Sequence, residues 1–482
     1  MFKKILQSKK SIFLFVNFLI IGFQFFLIGF FYNEIHQEIP LWYTKNWGLG
    51  ILSDKSYIFL IPAISIFLTL TSFVILKFSE KFYQYLFYEI TSYFITILNV
   101  VITYSLTNII KKTTFSNLFF LDYVGSELLN SFFISFVLSI AVTPYLIKVY
   151  EKYGLITDPR KHQHPGMLLK TPTARGGGLI FAISFSITSL LTTKINLNVL
   201  AIICAAILAA FIGILDDISN TSPNKKYKFL GNPVFRLSVL LPIPVILLIA
   251  SGITINNISI PFFGILDFST LNFNVFNNIF SPLVYIFTFI WILWLINLLS
   301  WSNGVDGQYS GIVSVAGITI SLLALRFSPL SESELNISKL AIITAGSSLG
   351  LVPFTWNPSK IMWGFGATSA GIVIAALSII ASTKISISIL VLLIPFMDGL
   401  ITVIRRIINK QNPLRGDRSH LHHLLLQRGW SIKQVAVFYW ASTAILGFIG
   451  YVSSDRDLPL LVLTLGGLVG FIIALLNYKF KI

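Results

Sequence analysis

RRIINKQNPLRGDRSHLHH, Arg405 to His423, is the most polar run in a chain of 482 residues that is 55% hydrophobic and only 11% charged. Two arginines leave an apolar helix, and a Pro-Leu-Arg-Gly turn re-aims the chain. Asp417, Arg418, His420, His422 and His423 then arrive within seven residues. Arg supplies planar forks that match phosphate oxygens, and imidazole can donate, accept or ligate near neutral pH. A helix from Ser419 onward puts His420 and His423 at i and i+3 on one face and turns His422 aside. Taken alone, the run reads as a solvated basic loop holding the end of a membrane helix. The other polar loops of the chain make it part of a site.

Working outward, the flanks are apolar nearly everywhere. A mean hydropathy of +0.81 places the chain among integral membrane proteins and excludes a soluble core. Apolar stretches that can cross a hydrocarbon layer as helices lie near 11–32, 57–78, 86–107, 131–149, 178–193, 197–215, 234–252, 282–299, 308–325, 338–354, 367–382, 385–404, 434–452 and 458–477. Lipid cannot satisfy an open backbone, so the expected fold class is all-α, a polytopic membrane helical bundle of about fourteen transmembrane helices. Cys204 is the single cysteine and lies in an apolar run, which excludes a disulfide framework and a thiolate metal site. Ser11 to Tyr32 is too long for the apolar region of a cleaved signal peptide, and no small-residue cleavage site follows it.

The net charge of +16 lies in short loops between spans, a pattern of membrane orientation and attraction to anionic lipid or phosphate rather than of nucleic-acid binding. Lys3, Lys4, Lys9 and Lys10 place the N-terminus inside. Counting forward puts the loops at 150–177, 214–233, 300–307, 355–366 and 405–433 on the same face. Those loops carry Arg160, Lys161, Arg175, Lys225, Lys226, Lys360, Arg405, Arg406, Arg415 and Arg418, whereas 253–281 has no Lys or Arg at all. Both termini are therefore expected to be cytoplasmic, in a plasma-membrane protein whose polar motifs share the cytoplasmic face. Residues 1–125 form a three-span segment whose loops hold no chemical constellation, and 126–482 form an eleven-span domain with motif-bearing inner loops.

The first inner loop, Asp158 to Phe181, offers Arg160 and Lys161 and then Gly176, Gly177 and Gly178 just before a helix N-terminus, which favours phosphate. A Gly-rich membrane re-entry with stop charges explains it equally well. Asp216 and Asp217 end a long apolar helix, about 100° apart around its axis, where the helix dipole disfavours anions. Mg²⁺ commonly takes one or two carboxylates together with substrate phosphates and waters. Lys225 and Lys226 follow and either face a diphosphate or anchor the helix by snorkelling. Asn297, Asn303 and Asp306 lie in NLLSWSNGVDGQ, whose amides and carboxylate suit a base or sugar, although Asn-Gly and Asp-Gly are also turn chemistry. FTWNPSKIMWGFGATSAG contributes Lys360, aromatics and a glycine turn. Asp398 lies inside a span and marks function by default, with Arg405 or Arg406 as its expected partner.

Together these residues resemble the polyprenyl-phosphate N-acetylhexosamine-1-phosphate transferase superfamily, glycosyltransferase family 4, whose members include phospho-N-acetylmuramoyl-pentapeptide transferase and UDP-GlcNAc:undecaprenyl-phosphate GlcNAc-1-phosphate transferase. The resemblance covers about 131–482 and rests on DP-RKH with GGG, Leu215–Asp217, Asn297–Gly307, WNPSKI at Trp356–Ile361, Asp398 with Arg405, and DRSHLHH at Asp417–His423. It implies attack of a polyprenyl phosphate on the β-phosphorus of a UDP-sugar with release of UMP, at the start of cell-wall glycan (peptidoglycan-type) synthesis. Roles implied by the resemblance are Mg²⁺ binding for Asp216 and Asp217, catalysis for these two and Asp306, a nucleotide-side role for Asp306 and Asn297, and phosphate or sugar contacts for His420, His422 and His423; Asn303 and Arg418, from the same stretches, are added as substrate-binding candidates. Arg160, Lys161, Lys225, Lys226, Lys360 and Asp398 join the substrate-binding set. The chain departs from the family pattern at Ser300 and Asn303. It departs again at Phe365, which stands where the family has a metal-binding Asp, and no acid lies between Glu334 and Asp398. Two other readings stay open, a pseudoenzyme that binds polyprenyl phosphate or a nucleotide sugar, and a secondary transporter, which the concentration of polarity in inner loops disfavours.

Overall fold

A computed structural model describes residues 2–33, 35–41, 52–79, 86–113, 119–160, 169, 171–221, 229, 232–275, 278–326, 331–381, 385–412 and 419–478. Every apolar stretch named above is helical. Among the described residues, seven helices are long and apolar enough to cross a membrane, eight if one bent pair counts as a single span, and six further apolar helices are shorter. The chain is thus a helical, polytopic membrane protein.

Two features depart from the sequence expectation. The expected span 385–404 is broken into Ile385–Val391 and Leu393–Ile408, bent by 87°. Pro395 supplies the reason: it lacks an N–H and its ring excludes the carbonyl four residues earlier, at Val391. The chain is also not purely helical. Two-stranded antiparallel ladders pair Glu38–Pro40 with Leu52–Asp54, Asn257–Ile260 with Gly264–Asp267, and Phe273–Val275 with Asn278–Phe280. A three-stranded sheet is more consequential. Thr173–Arg175 lies at its centre, antiparallel to Ile156–Thr157 and parallel to Ile361–Met362, with Arg175 opposite Met362.

The chain divides into two compact units, Met1–Asn130 and Ser131–Ile482. The first buries a polar seam among its three leading helices. Asn99 donates to Asn17 Oδ1 at 2.7 Å and to Thr69 Oγ1 at 3.0 Å, and Asn17 donates to Thr96 Oγ1 at 3.0 Å. Gln24 donates to Thr103 and Ser65 at 2.8 and 3.0 Å. Lipid offers no driving force for apolar faces to associate, so such interhelical amide bonds help fix which helix faces which.

The second unit is built round Leu197–Thr221, whose Ala205, Ala206, Ala209 and Ala210 are buried and let Gly177–Thr192 and Ala367–Ile380 approach closely. The tightest approach involves glycines alone. A Cβ on Gly178 or on Gly213 would overlap the backbone of Gly366. That contact presses the turn Gly364–Gly366 against the end of the helix that carries Asp216 and Asp217.

Candidate active site

Asp216 and Asp217 are each only 1% exposed, and each meets its own arginine. Arg236 Nη1 donates to Asp216 Oδ1 at 2.7 Å, while Asn220 Nδ2 donates to Oδ2 at 2.8 Å. Arg175 Nε donates to Asp217 Oδ1 at 2.6 Å, and the same oxygen accepts the Phe365 N–H at 3.1 Å. Asp217 Oδ2 is buried and has no hydrogen-bond partner among the described residues. Neighbouring helical residues diverge by about 100°, so the adjacent acids reach out to two separate cations. The sheet positions one of them: pairing of Thr173–Arg175 with Ile361–Met362 delivers both Arg175 and the Gly364–Phe365 turn to Asp217. Arg236 opens a π-helical turn, Arg236–Leu240, and its guanidinium carbon lies 4.3 Å from the centre of the Phe365 ring.

Gly364 is held at φ +65 with Asp217 Oδ2 lying where its Cβ would be. Gly364→Ala should therefore destabilise the folded protein by about 2–4 kcal/mol, from backbone strain plus collision with a buried carboxylate. A lowered thermal midpoint of the purified protein in detergent checks this, and an unchanged midpoint would mean the turn can open without cost.

A second cluster forms where the broken helix meets the histidine motif. Asp398 is buried; its Oδ2 lies 3.0 Å from His420 Nδ1, and its Oδ1 accepts the Leu421 N–H at 2.7 Å. His420, not Arg405 or Arg406, is therefore the partner given by the fold. Arg405 lies seven residues along the helix, roughly 10 Å away, and instead donates to Asn477 Oδ1 at 2.5 Å. Helix Leu421–Gln427 begins after His420, which is an extended N-cap residue. His422 is consequently not turned aside: its ring stacks on His420 at 5.7 Å and meets His423 at 4.3 Å. Burial, then the neighbouring His423 and His420, hold the His422 imidazole well below its ordinary range, so it is neutral at pH 7.

The remaining segments tie these clusters together. Trp301 lies 6.1 Å from His420, and Gly304 packs so closely on the His422 ring that no side chain fits there. Asp306 Oδ2 accepts from Asn357 Nδ2 at 2.8 Å and from the Ser359 N–H at 3.3 Å. The segment 356–366 thus contacts Asp306 at one end and Asp217 at the other. Among the described residues, the other expected side chains make no hydrogen bond to either cluster. Asn297 donates back to Leu293 O of its own helix at 2.7 Å. Arg160 makes a local bidentate pair with Asp158 at 3.1 and 3.2 Å, and Lys360 is exposed. Asn303 is fixed by its backbone N–H to Ser300 O at 3.2 Å. Lys161, Lys225, Lys226 and Arg418 lie outside the described residues.

Sequence reasoning used Arg175 only as an orientation charge and passed over Arg236 altogether. Its signal was present, since an arginine inside the apolar stretch 234–252 demands a partner, and the nearest unpartnered acids in sequence were Asp216 and Asp217. The cluster does not suit a divalent cation. Three of the four oxygens of Asp216 and Asp217 already accept hydrogen bonds, two guanidiniums neutralise the pair, and Phe365 offers a ring. Among the described residues no three His, Cys, Asp or Glu side chains stand together as ligands.

These features define a class: a polytopic helical membrane protein whose buried acids, arginines and histidines are brought together by contacts among its loops. Residues 199–382 match the model of the family described as Glycosyl transferase family 4. The chain is similar to the "Probable undecaprenyl-phosphate N-acetylglucosaminyl 1-phosphate transferase" of Bacillus subtilis (strain 168), 28% identical over 344 residues that cover 69% of this chain and 86% of the relative. It is also similar to the "Phospho-N-acetylmuramoyl-pentapeptide-transferase" of Staphylococcus aureus (strain JH9), 26% identical over 335 residues that cover 66% of this chain and 96% of the relative. Residues 199–382 are thus similar to glycosyl transferase family 4, and the two relatives extend the similarity over about two thirds of the chain.

Proposed function

We propose that the chain transfers HexNAc-1-phosphate from a UDP-GlcNAc-like donor to a polyprenyl phosphate and releases UMP, at an early step of cell-envelope glycan synthesis. The observation that supports this reading is the segment 356–366, which links Asp306 to the Asp217–Arg175 pair; in this reading Asp306 serves the nucleotide and the arginines serve the phosphates. In the reaction, an oxygen of the lipid phosphate attacks the β-phosphorus of the donor. The bond from that phosphorus to the oxygen bridging to the α-phosphate breaks, and UMP leaves with the electron pair. A phosphate monoester is largely ionised at pH 7, so the nucleophile needs no general base. What the protein must supply is alignment and neutralisation of charge. Arg175 and Arg236 offer the second, and the Asp398–His420 pair with His423 offers directed hydrogen bonds for the first. Asp216 and Asp217 orient the arginines.

A specific observation also favours a second reading, binding without turnover: both acids of the pair are engaged in ion pairs. The two readings separate in one assay. Purified protein in detergent, given radiolabelled UDP-GlcNAc and undecaprenyl phosphate, should form lipid-linked sugar phosphate with stoichiometric UMP. Saturable donor binding without UMP would favour the second reading, and neither binding nor UMP across UDP-sugars would overturn both.

The fourteen-span arrangement with cytoplasmic termini belongs to the same proposal, and with it a site on the cytoplasmic face of the plasma membrane. It predicts that cysteines placed at exposed Lys360 and at Ile265, which is 71% exposed, react with membrane-impermeant maleimide from opposite sides. The measurement needs a Cys204→Ser background, because the native cysteine is exposed. Labelling of both positions from one side would sink the topology.

A further inference from the structure

The acid pair is neutralised by side chains of the chain itself, and the neutralising groups are not spent. Arg175 uses Nε toward Asp217, which leaves its two Nη groups; Arg236 uses Nη1 toward Asp216, and its buried Nε has no hydrogen-bond partner among the described residues. The two side chains are 23% and 19% exposed, so solvent reaches both, beside carboxylates that are sealed in. Phe365 acts on one of them. A ring face under a guanidinium attracts it electrostatically and fixes the plane of its fork, whereas it offers nothing to a hard cation. Gly364 and the Phe365 N–H press on the other acid, Asp217, and hold its carboxylate toward Arg175. A divalent cation would have to displace both guanidiniums or sit beside two positive charges.

We propose that Arg175 and Arg236, set by Asp217, Asp216 and the Phe365 ring, form a phosphate-binding site that works without a divalent cation. The ligand class is a diphosphate, recognised by charge-assisted, fork-like hydrogen bonds from two fixed guanidiniums. This deepens the donor reading above and rests on it for the identity of the ligand; the metal behaviour of the cluster does not depend on that reading.

Two measurements on the full chain in detergent test it. In the first, Mn²⁺ is titrated and the free aqua ion is followed by electron paramagnetic resonance. The parent should leave Mn²⁺ free through the submillimolar range, and the double variant Arg236→Met, Phe365→Asp should take up one ion per chain. In the second, UDP is the probe, in excess EDTA and in excess Mg²⁺. Its Kd should agree within about twofold between the two, and Arg236→Met should weaken it at least about tenfold, the loss of one charge-assisted contact. A parent that binds submillimolar Mn²⁺ and loses it on Asp217→Asn, or that binds UDP at least about tenfold more weakly in EDTA, overturns the inference while leaving the donor reading intact. A parent that leaves Mn²⁺ free and binds no UDP under either condition overturns the donor reading and the phosphate role of the arginines.

Discussion

Replacing Asp398 with asparagine is expected to lower the rate of UMP release by about a thousandfold, with a much smaller effect on donor binding. The carboxylate has two jobs, one per oxygen. Oδ1 accepts the Leu421 N–H, the first backbone donor of the helix that carries His422 and His423, and Oδ2 faces His420 Nδ1. A carboxylate only accepts, so the His420 proton is fixed on Nδ1, and Nε2 is left to meet substrate as an acceptor whenever the ring is neutral. Asparagine keeps the shape but has one acceptor. If its carbonyl stays with Leu421, its amide N–H₂ faces Nδ1 and drives the ring proton to Nε2, inverting the hydrogen bond offered to the substrate. The measurement is kcat and KM for the parent and for Asp398→Asn, together with the thermal midpoint of each. A purely structural role would lower the midpoint and leave kcat of the folded fraction close to the parent's.

The parts of this site differ in how far the chain discloses them. Asp216–Asp217 and the run ending in His422–His423 stand out because polar residues are rare in an apolar chain, and their clustering survives any error in span boundaries. Pairing is harder to see. Asp217 meets Arg175 across 42 residues and Phe365 across 148, separations closed by the small parallel ladder between 174–175 and 361–362 and by the glycine contact at Gly366. A ladder of two residues leaves no periodic trace. The partner of Asp398 was misassigned for a similar reason: Arg405 is near in sequence but two helical turns away, and His420 returns by a chain reversal that sequence distance hides. The break at Leu392 was available in principle from Pro395. Averaged hydropathy concealed it, as it concealed Asn17, Gln24 and Asn99 in the first unit, where single amides inside long apolar stretches form the polar seam.

Asp217→Asn should damage both function and fold, lowering UMP release at least about a hundredfold and also destabilising the protein. Its Oδ1 holds both the Arg175 Nε–H and the Phe365 N–H, so one atom joins the strand Thr173–Arg175 to the turn Gly364–Gly366. Asparagine carries no charge, and its NH₂ would be forced either against those two donors or toward Gly364, which packs on the Oδ2 position. Removing one partner of a buried ion pair costs about 3–5 kcal/mol, and the low end applies because Arg175 is 23% exposed and water can partly solvate it. The released guanidinium no longer has a fixed direction, and loss of one preorganised charge contact to a transferring phosphoryl group lowers the rate at least about a hundredfold. Stability and rate can be separated with a second substitution. The double variant Arg175→Met, Asp217→Asn removes the uncompensated charge together with its partner, so it should regain much of the thermal midpoint. It should not regain UMP release, because the guanidinium itself is gone. Recovery of both would reduce the pair to a structural fastening, and a parent-like rate in Asp217→Asn alone would place the chemistry on other residues.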